Sequence, residues 1–303
     1  MRILVTGGSG FIGAHVLELL KAIDDVEIYA TTRQQKTSDD ITWQTVDLFD
    51  AGAVTKLMQT VQPTHLLHFA WDVTPSKYWT SLDNYRWVQA SLHLLMTFHE
   101  QGGRRAVFAG TCAEYNWDYG YLIENHTPIT AQTPYGNCKA NLYQLIMNYA
   151  QQVELSVGWG RIFFPFGSGE KPERLVPYVI RSLLNDTVAE TSSGTQLRDF
   201  LYVKDMARAF VALLQSDVQG AVNMASGNPL RLADFIHAIG DALGKRELIK
   251  LGARPDGNQP TALLADTTRL HKEVGFIPQY TRQEGIQETI AWWREQEREN
   301  KDE

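Results

Sequence analysis

The chain opens Met1-Arg2-Ile3-Leu4-Val5-Thr6-Gly7-Gly8-Ser9-Gly10-Phe11-Ile12-Gly13, and this stretch limits the possible folds more than any other. Ile3–Val5 is a short apolar run without polar alternation, the pattern of a strand buried on both faces of a parallel sheet. Glycines follow at once, and Phe11–Leu20 then has helical periodicity. A strand that turns on glycine into a helix aims backbone N–H groups and a helix N-terminus at one point. An anion suits that point, and glycine lets it approach the backbone. An ordinary tight strand-to-helix turn has the same glycines, but the order of the three parts favours phosphate binding.

The alternation continues. Val26–Thr31, Ile41–Val46, Thr64–Ala70, Ala106–Gly110 and Leu155–Gly160 read as strands, and Ala51–Val61, Ser81–Gln101 and Tyr135–Gln151 as helices. This predicts a doubly wound parallel α/β sheet with helices on both faces. Further helices are expected over Leu175–Leu184, Met206–Leu214, Leu230–Leu243 and Gln283–Trp293, the last with an apolar stripe of Ile286, Ile290 and Trp293. The charged end, Arg294–Glu303, is expected to fray. His65 and His68, three apart on a strand, point to opposite faces and read as packing residues, so no metal site is expected.

With 303 residues and 44% hydrophobic content, the chain suits one large or two moderate soluble domains. A net charge of −7 disfavours nucleic acid as the main partner. No apolar run is long enough to span a membrane. Two cysteines and no signal-peptide pattern point to a reducing cytoplasm. The second strand ends Thr31-Thr32-Arg33, with no carboxylate to bind the ribose hydroxyls of NAD. Arg33 would instead accommodate the extra phosphate of NADP(H), which is favoured over NAD(H).

Three residues suggest chemistry. Thr111 ends a strand at its carboxyl edge, where open α/β sheets bind ligands. Tyr135 and Lys139 are four apart, one turn of a helix that Pro134 would start. A phenol of pKa about 10 is a poor proton carrier at neutral pH. A nearby ammonium would favour its ionised form, letting Tyr135 trade a proton with a carbonyl oxygen as a hydride moves at carbon. Thr111 could hold that oxygen.

Thr6–Gly13, with glycines at every third position, and Thr111 with Tyr135-x-x-x-Lys139 together resemble the extended branch of the short-chain dehydrogenase/reductase superfamily. That branch acts mostly on nucleotide sugars. The resemblance implies a Rossmann fold with a smaller C-terminal α/β part, divided as 1–160 plus 197–221 for NADP and 161–196 plus 222–303 for the nucleotide sugar. Gly7, Gly10, Phe11, Ile12 and Gly13 would line the cofactor pyrophosphate, Asp47 and Leu48 the adenine, and Phe69 and Ala70 the cofactor beyond it. Thr111, Tyr135 and Lys139 match the catalytic triad, the last two also touching cofactor. Trp71 stands where relatives carry a small residue, near ribose or substrate, and Asn84 where they carry an asparagine.

Arg161-Ile162-Phe163-Phe164-Pro165-Phe166-Gly167 resembles the Arg-x-x-Asn-x-Tyr-Gly segment of the family, with Phe164 and Phe166 replacing the asparagine and tyrosine. The sugar pocket is therefore expected to be less polar. Arg198 and Arg254 match arginines that bind the substrate diphosphate, and Asp199 would orient its neighbour. The Asp-Glu pair of 4,6-dehydratases is missing: Cys112-Ala113 stands there, and Glu114, on an extended segment, would face the other way. Cys112 reads as packing rather than as a nucleophile. The expected activity is NADPH-dependent reduction of a nucleotide-linked 4-keto-6-deoxyhexose. The alternatives are a nucleotide-sugar 4-epimerase with recycled cofactor and a non-catalytic NADP-binding regulator. The helices Ser81–Gln101 and Tyr135–Gln151 would pair across a homodimer axis.

Overall fold

A computed structural model of the chain describes residues 1–258 and 260–302. The first half runs β1 (Arg2–Thr6), α1 (Phe11–Lys21), β2 (Glu27–Thr32), β3 (Thr42–Thr45), α2 (Ala51–Val61), β4 (His65–His68), α3 (Asp83–Glu100) and β5 (Arg105–Thr111). A two-residue strand β6 (Tyr121–Leu122) precedes α4 (Pro134–Gln152), β7 (Ser156–Ile162), β8 (Phe164–Phe166), α5 (Leu175–Leu184), β9 (Ala189–Glu190), β10 (Leu197–Arg198) and β11 (Phe200–Tyr202). Then come α6 (Val203–Gln215), β12 (Gly220–Met224), β13 (Leu230–Arg231), α7 (Leu232–Leu243), β14 (Ile249–Lys250), β15 (Ala262–Ala265) and α8 (Arg282–Asp302).

Seven strands form one sheet in the order β12-β7-β5-β4-β1-β2-β3, every neighbour parallel. Alternate side chains go to opposite faces. Ile3, Val5, Leu67, Val107 and Val222 pack with α1 and α6, whereas Leu4, Leu66, Ala106, Phe108 and Trp159 pack with α2, α3 and α4. This is the doubly wound arrangement that buried apolar strands require. The chain winds one way from β1 to β2 and the other way to β4, so a crevice opens at their carboxyl ends. The register Thr6↔His68 brings those ends level. His68 is buried, with ring nitrogens 2.7 Å from Thr6 Oγ1 and 2.9 Å from Ser91 Oγ. Burial and the Lys139 charge push its pKa down to about 3, so it packs as a neutral ring.

The smaller part contains the sheet β13-β10-β15-β6 and a core where Ile286, Ile290 and Trp293 of α8 meet α5 and α7. The boundary expected after residue 221 falls inside β12, whose residues through Met224 pair with β7. Leu197–Tyr202, expected in the larger part, pairs in the smaller sheets. The charged C-terminal segment is helical to Asp302, and Glu297 within it meets Arg181 of α5 at 2.6 Å. Glu303 lies outside the described residues.

Candidate active site

The glycine turn is shaped by close backbone approach. Gly7 has φ +71°, and a Cβ there would lie 2.7 Å from Ala70 N and 2.8 Å from Phe69 C. A Cβ on Gly13 would meet Gly7 O at 2.2 Å. Only glycine lets α1 start this close to β1 and β4. Gly10 is the N-cap of α1 and no side chain caps it, so the N–H groups of its first turn are left for an anion. These residues fit a dinucleotide pyrophosphate. Gly7 and Gly13 meet at this turn, and Phe69 and Ala70, which the resemblance adds, lie against Gly7.

The surroundings of Asp47 and Leu48, expected to line the adenine, are more open. Leu48 lines a hollow with Phe49, Arg86 and His93, and Asp47 Oδ1 accepts the Phe49 N–H at 3.0 Å. At the end of β2, Thr32 Oγ1 donates to Gln34 O at 2.8 Å. Arg33 is exposed beyond it. The Asp72 carboxyl is held below its usual range by hydrogen bonding from Thr74, with Lys171 and Arg33 adding to the effect.

The residues assigned to chemistry gather at the carboxyl end of β5, the strand beside β4. Thr111 closes β5, and the chain turns at once through a 3-10 turn, Cys112–Glu114. α4 packs onto that turn through Gly136, where a Cβ would lie 2.2 Å from Ala113 O. Thr133 caps α4 and Pro134 begins it. These two contacts bring Tyr135 to the end of β5, close enough for Thr111 to act on its phenol. Lys139 runs along the same helix face to donate to Ala109 O at 2.8 Å. Its ammonium also lies 3.8 Å from the centre of the Trp71 ring. Thr111, Tyr135 and Lys139 are all buried.

The electrostatics differ from the sequence expectation. Burial, and then Tyr78, hold the Tyr135 phenol above its ordinary value, with Thr111 acting against them. Lys139 is not among the principal influences on that phenol. Its own pKa falls from 10.5 to about 7 through burial, with Glu114 opposing. The shared helix face is as the spacing implies, but the lysine head is committed to the β5 backbone and to Trp71. Tyr135 is therefore a neutral hydroxyl.

Glu114 is not on an extended segment. The 3-10 turn points it inward, where it is fully buried and pairs with Arg161 Nε at 2.7 Å. It also accepts Thr111 N–H at 2.8 Å and Trp159 Nε1–H at 2.9 Å, which holds the end of β5. Burial pushes the Cys112 thiol up to about 12, so it packs.

An aromatic wall that the sequence reading missed covers Tyr135. Tyr78 lies 4.9 Å and Trp79 5.7 Å from its ring, centre to centre. Trp79 O also accepts the Tyr135 N–H at 3.1 Å. Lys171 Nζ donates to Thr74 Oγ1 at 3.3 Å and Arg174 Nη2 to Val73 O at 3.4 Å, tying this loop to the smaller part. The crowding of Trp71, Tyr78 and Trp79 into one loop was the available signal.

The two arginines stand apart. Arg198 is buried, donates to Leu197 O and Pro260 O at 2.8 Å each, and stacks on Phe164. Cys112, beside Thr111, is close enough to act on its charge. Arg254 is exposed, stacked on Tyr178 and donating to its hydroxyl at 2.8 Å. Among the described residues no hydrogen bond or ring contact joins the two. Asp199 does not orient Arg198. It is fully buried and accepts Ser226 N–H and Oγ–H and Gly227 N–H.

The model of the NAD dependent epimerase/dehydratase family matches residues 3–225. The UDP-glucose 4-epimerase of Dictyostelium discoideum is 25% identical, over 96% of this chain and 95% of its own. A probable dTDP-glucose 4,6-dehydratase of Sinorhizobium fredii is 26% identical, over 97% and 93%. The crystal structure of the Thermus thermophilus UDP-glucose 4-epimerase with NAD superposes with a TM-score of 0.84 at 24% identity, over 97% of this chain and 99% of that one.

Proposed function

The chain belongs to the NAD dependent epimerase/dehydratase family, and from that premise we propose that it is a nucleotide-sugar 4-epimerase whose nicotinamide cofactor is returned unchanged after each turnover. The observation that carries this reading is the buried Tyr135 on α4, beside Thr111 at the end of β5 and edge-on to Trp71, which Phe69-Ala70 joins to the glycine turn. Relatives that are UDP-glucose 4-epimerases support it, covering nearly the whole chain. A nicotinamide cofactor held at Gly7, Gly10 and Gly13 would supply reversible hydride transfer at the sugar carbon. Tyr135 moves the proton on the sugar oxygen, Thr111 holds that oxygen, and Lys139 supplies positive charge one helical turn away.

The larger sheet holds the cofactor in this reading, and the smaller part holds the sugar nucleotide, with Arg198 beside Phe164 and Arg254 further out as candidates for the diphosphate. We place the enzyme in the cytoplasm. Among the described residues no helix is long and apolar enough to cross a membrane. The exposed Tyr85, Met96 and Leu145 on α3 and α4 suit a two-fold contact of a homodimer.

A second reading is a NADPH-dependent 4-ketoreductase. It is favoured by Arg33 at a β2 end that lacks a carboxylate. The test is a panel of nucleotide sugars and their 4-keto forms, followed by product analysis and by nicotinamide absorbance. Epimer formation without net absorbance change supports the epimerase, and one cofactor oxidised per sugar supports the reductase. Tyr135→Phe should lower either activity by about 10²–10⁴-fold; an unchanged rate removes the assigned proton carrier. Under the second reading Arg33→Ala should weaken NADPH binding about tenfold and leave NADH binding unchanged.

A further inference from the structure

Lys139 is a buried cation with little oxygen around it. Among the described residues its one protein hydrogen bond goes to Ala109 O. The groups that face it come from several elements. Glu114, in the turn after β5, favours its charge, but that carboxylate is already paired with Arg161 of β7 at 2.7 Å. His68 of β4 is neutral, Cys112 stays a thiol, and Tyr135 on the same helix stays a phenol. The remaining close surface is the Trp71 ring, 3.8 Å from the ammonium to the centroid; Trp159 lies at 6.0 Å.

The Trp71 ring is held. Its Nε1–H donates to Asn84 Oδ1 at 2.9 Å, and the buried Asn84 donates to Tyr78 O at 2.7 Å. Trp87 stacks on it at 5.9 Å. A fixed indole face over a desolvated ammonium is a strong cation–π arrangement, because the ring quadrupole takes the place of lost water. We propose that Trp71 is a positioning residue: its indole face, clamped by Asn84 and Trp87, holds the Lys139 ammonium in place and keeps it charged inside the closed site. Trp71 then acts through Lys139 rather than by touching the sugar.

The test has one arm that does not need activity. Protein labelled with ¹³C at the lysine ε-carbon is titrated by NMR, the Lys139 resonance being the one absent from Lys139→Met. In Trp71→Leu the Lys139 midpoint should fall by about one pH unit, a tenfold change in proton affinity. Trp71→Phe, which keeps a weaker ring face, should fall by less, and it decides alone if the leucine variant does not fold. An unchanged or raised midpoint overturns the proposal. The second arm rests on the proposed enzymatic function. Loss of the ring should move the alkaline limb of kcat/KM down by the same amount. A merely structural role lowers kcat/KM equally at every pH and overturns the assignment. If no sugar nucleotide is turned over, the functional reading fails while the titration still decides the role of Trp71.

Discussion

Replacing Glu114 with glutamine separates a structural carboxylate from a catalytic one. Glu114 and Arg161 are 0% and 1% exposed and meet at 2.7 Å. Arg161 also gives Nη1–H to the Tyr115 hydroxyl at 3.0 Å. Glutamine keeps an oxygen for Thr111 N–H and Trp159 Nε1–H but leaves the guanidinium buried without a counter-charge. Breaking such a pair costs about 3–5 kcal/mol, and in a chain of this length about 2 °C of Tm per kcal/mol gives a fall of about 6–10 °C. Arg161→Met should cost a comparable amount. In Glu114→Gln/Arg161→Met both charges are gone, so the double variant should lose about 1–3 kcal/mol less than the sum of the singles. Urea unfolding followed by circular dichroism, with wild type, singles and double, measures the cycle. Because Glu114 holds Thr111 rather than reacting, the double variant should also recover activity relative to Glu114→Gln. A single-variant cost below about 1 kcal/mol, or strict additivity, refutes the buried-pair reasoning. A stable but inactive double variant would make Glu114 a proton carrier after all.

Lys139→Met should be more stable than wild type at acid and neutral pH. The folded pKa of about 7 lies below the free value of 10.5, so between those values the unfolded chain holds more protons and wild-type stability rises with pH. The cost of the buried ammonium is fully present below about pH 7 and gone near pH 10.5; removing it should gain about 2 kcal/mol at pH 6, shrinking as pH rises. Chemical denaturation at several pH values checks this, and a pH-independent difference counts against it. Gly13→Ala puts a Cβ 2.2 Å from Gly7 O. It should displace α1 from the turn and weaken NAD(P) binding about tenfold or more, measured by calorimetric titration; unchanged affinity would mean the turn does not hold the cofactor.

Local pattern carried the architecture. The apolar Ile3–Val5 run, the glycines after it and the strand–helix alternation were enough for a doubly wound sheet, because a strand buried on both faces has no other stable partner. Tyr135 and Lys139 share a helix face by periodicity alone, and Gly7, Gly10 and Gly13 are close by chain geometry. What Lys139 does with its charge was not local. It depends on Ala109, a strand away, and on Trp71, from a loop many residues earlier. The same holds for Glu114, whose inward direction comes from the 3-10 turn and whose partner Arg161 sits on another strand. Arg198 matched a diphosphate-binding motif in sequence, yet the fold commits two of its N–H groups to carbonyls. Hydrophobic period and turn chemistry are written residue by residue along the chain. The state of a proton is set by burial and by whichever charges and rings the finished packing brings near, and that is decided only in three dimensions.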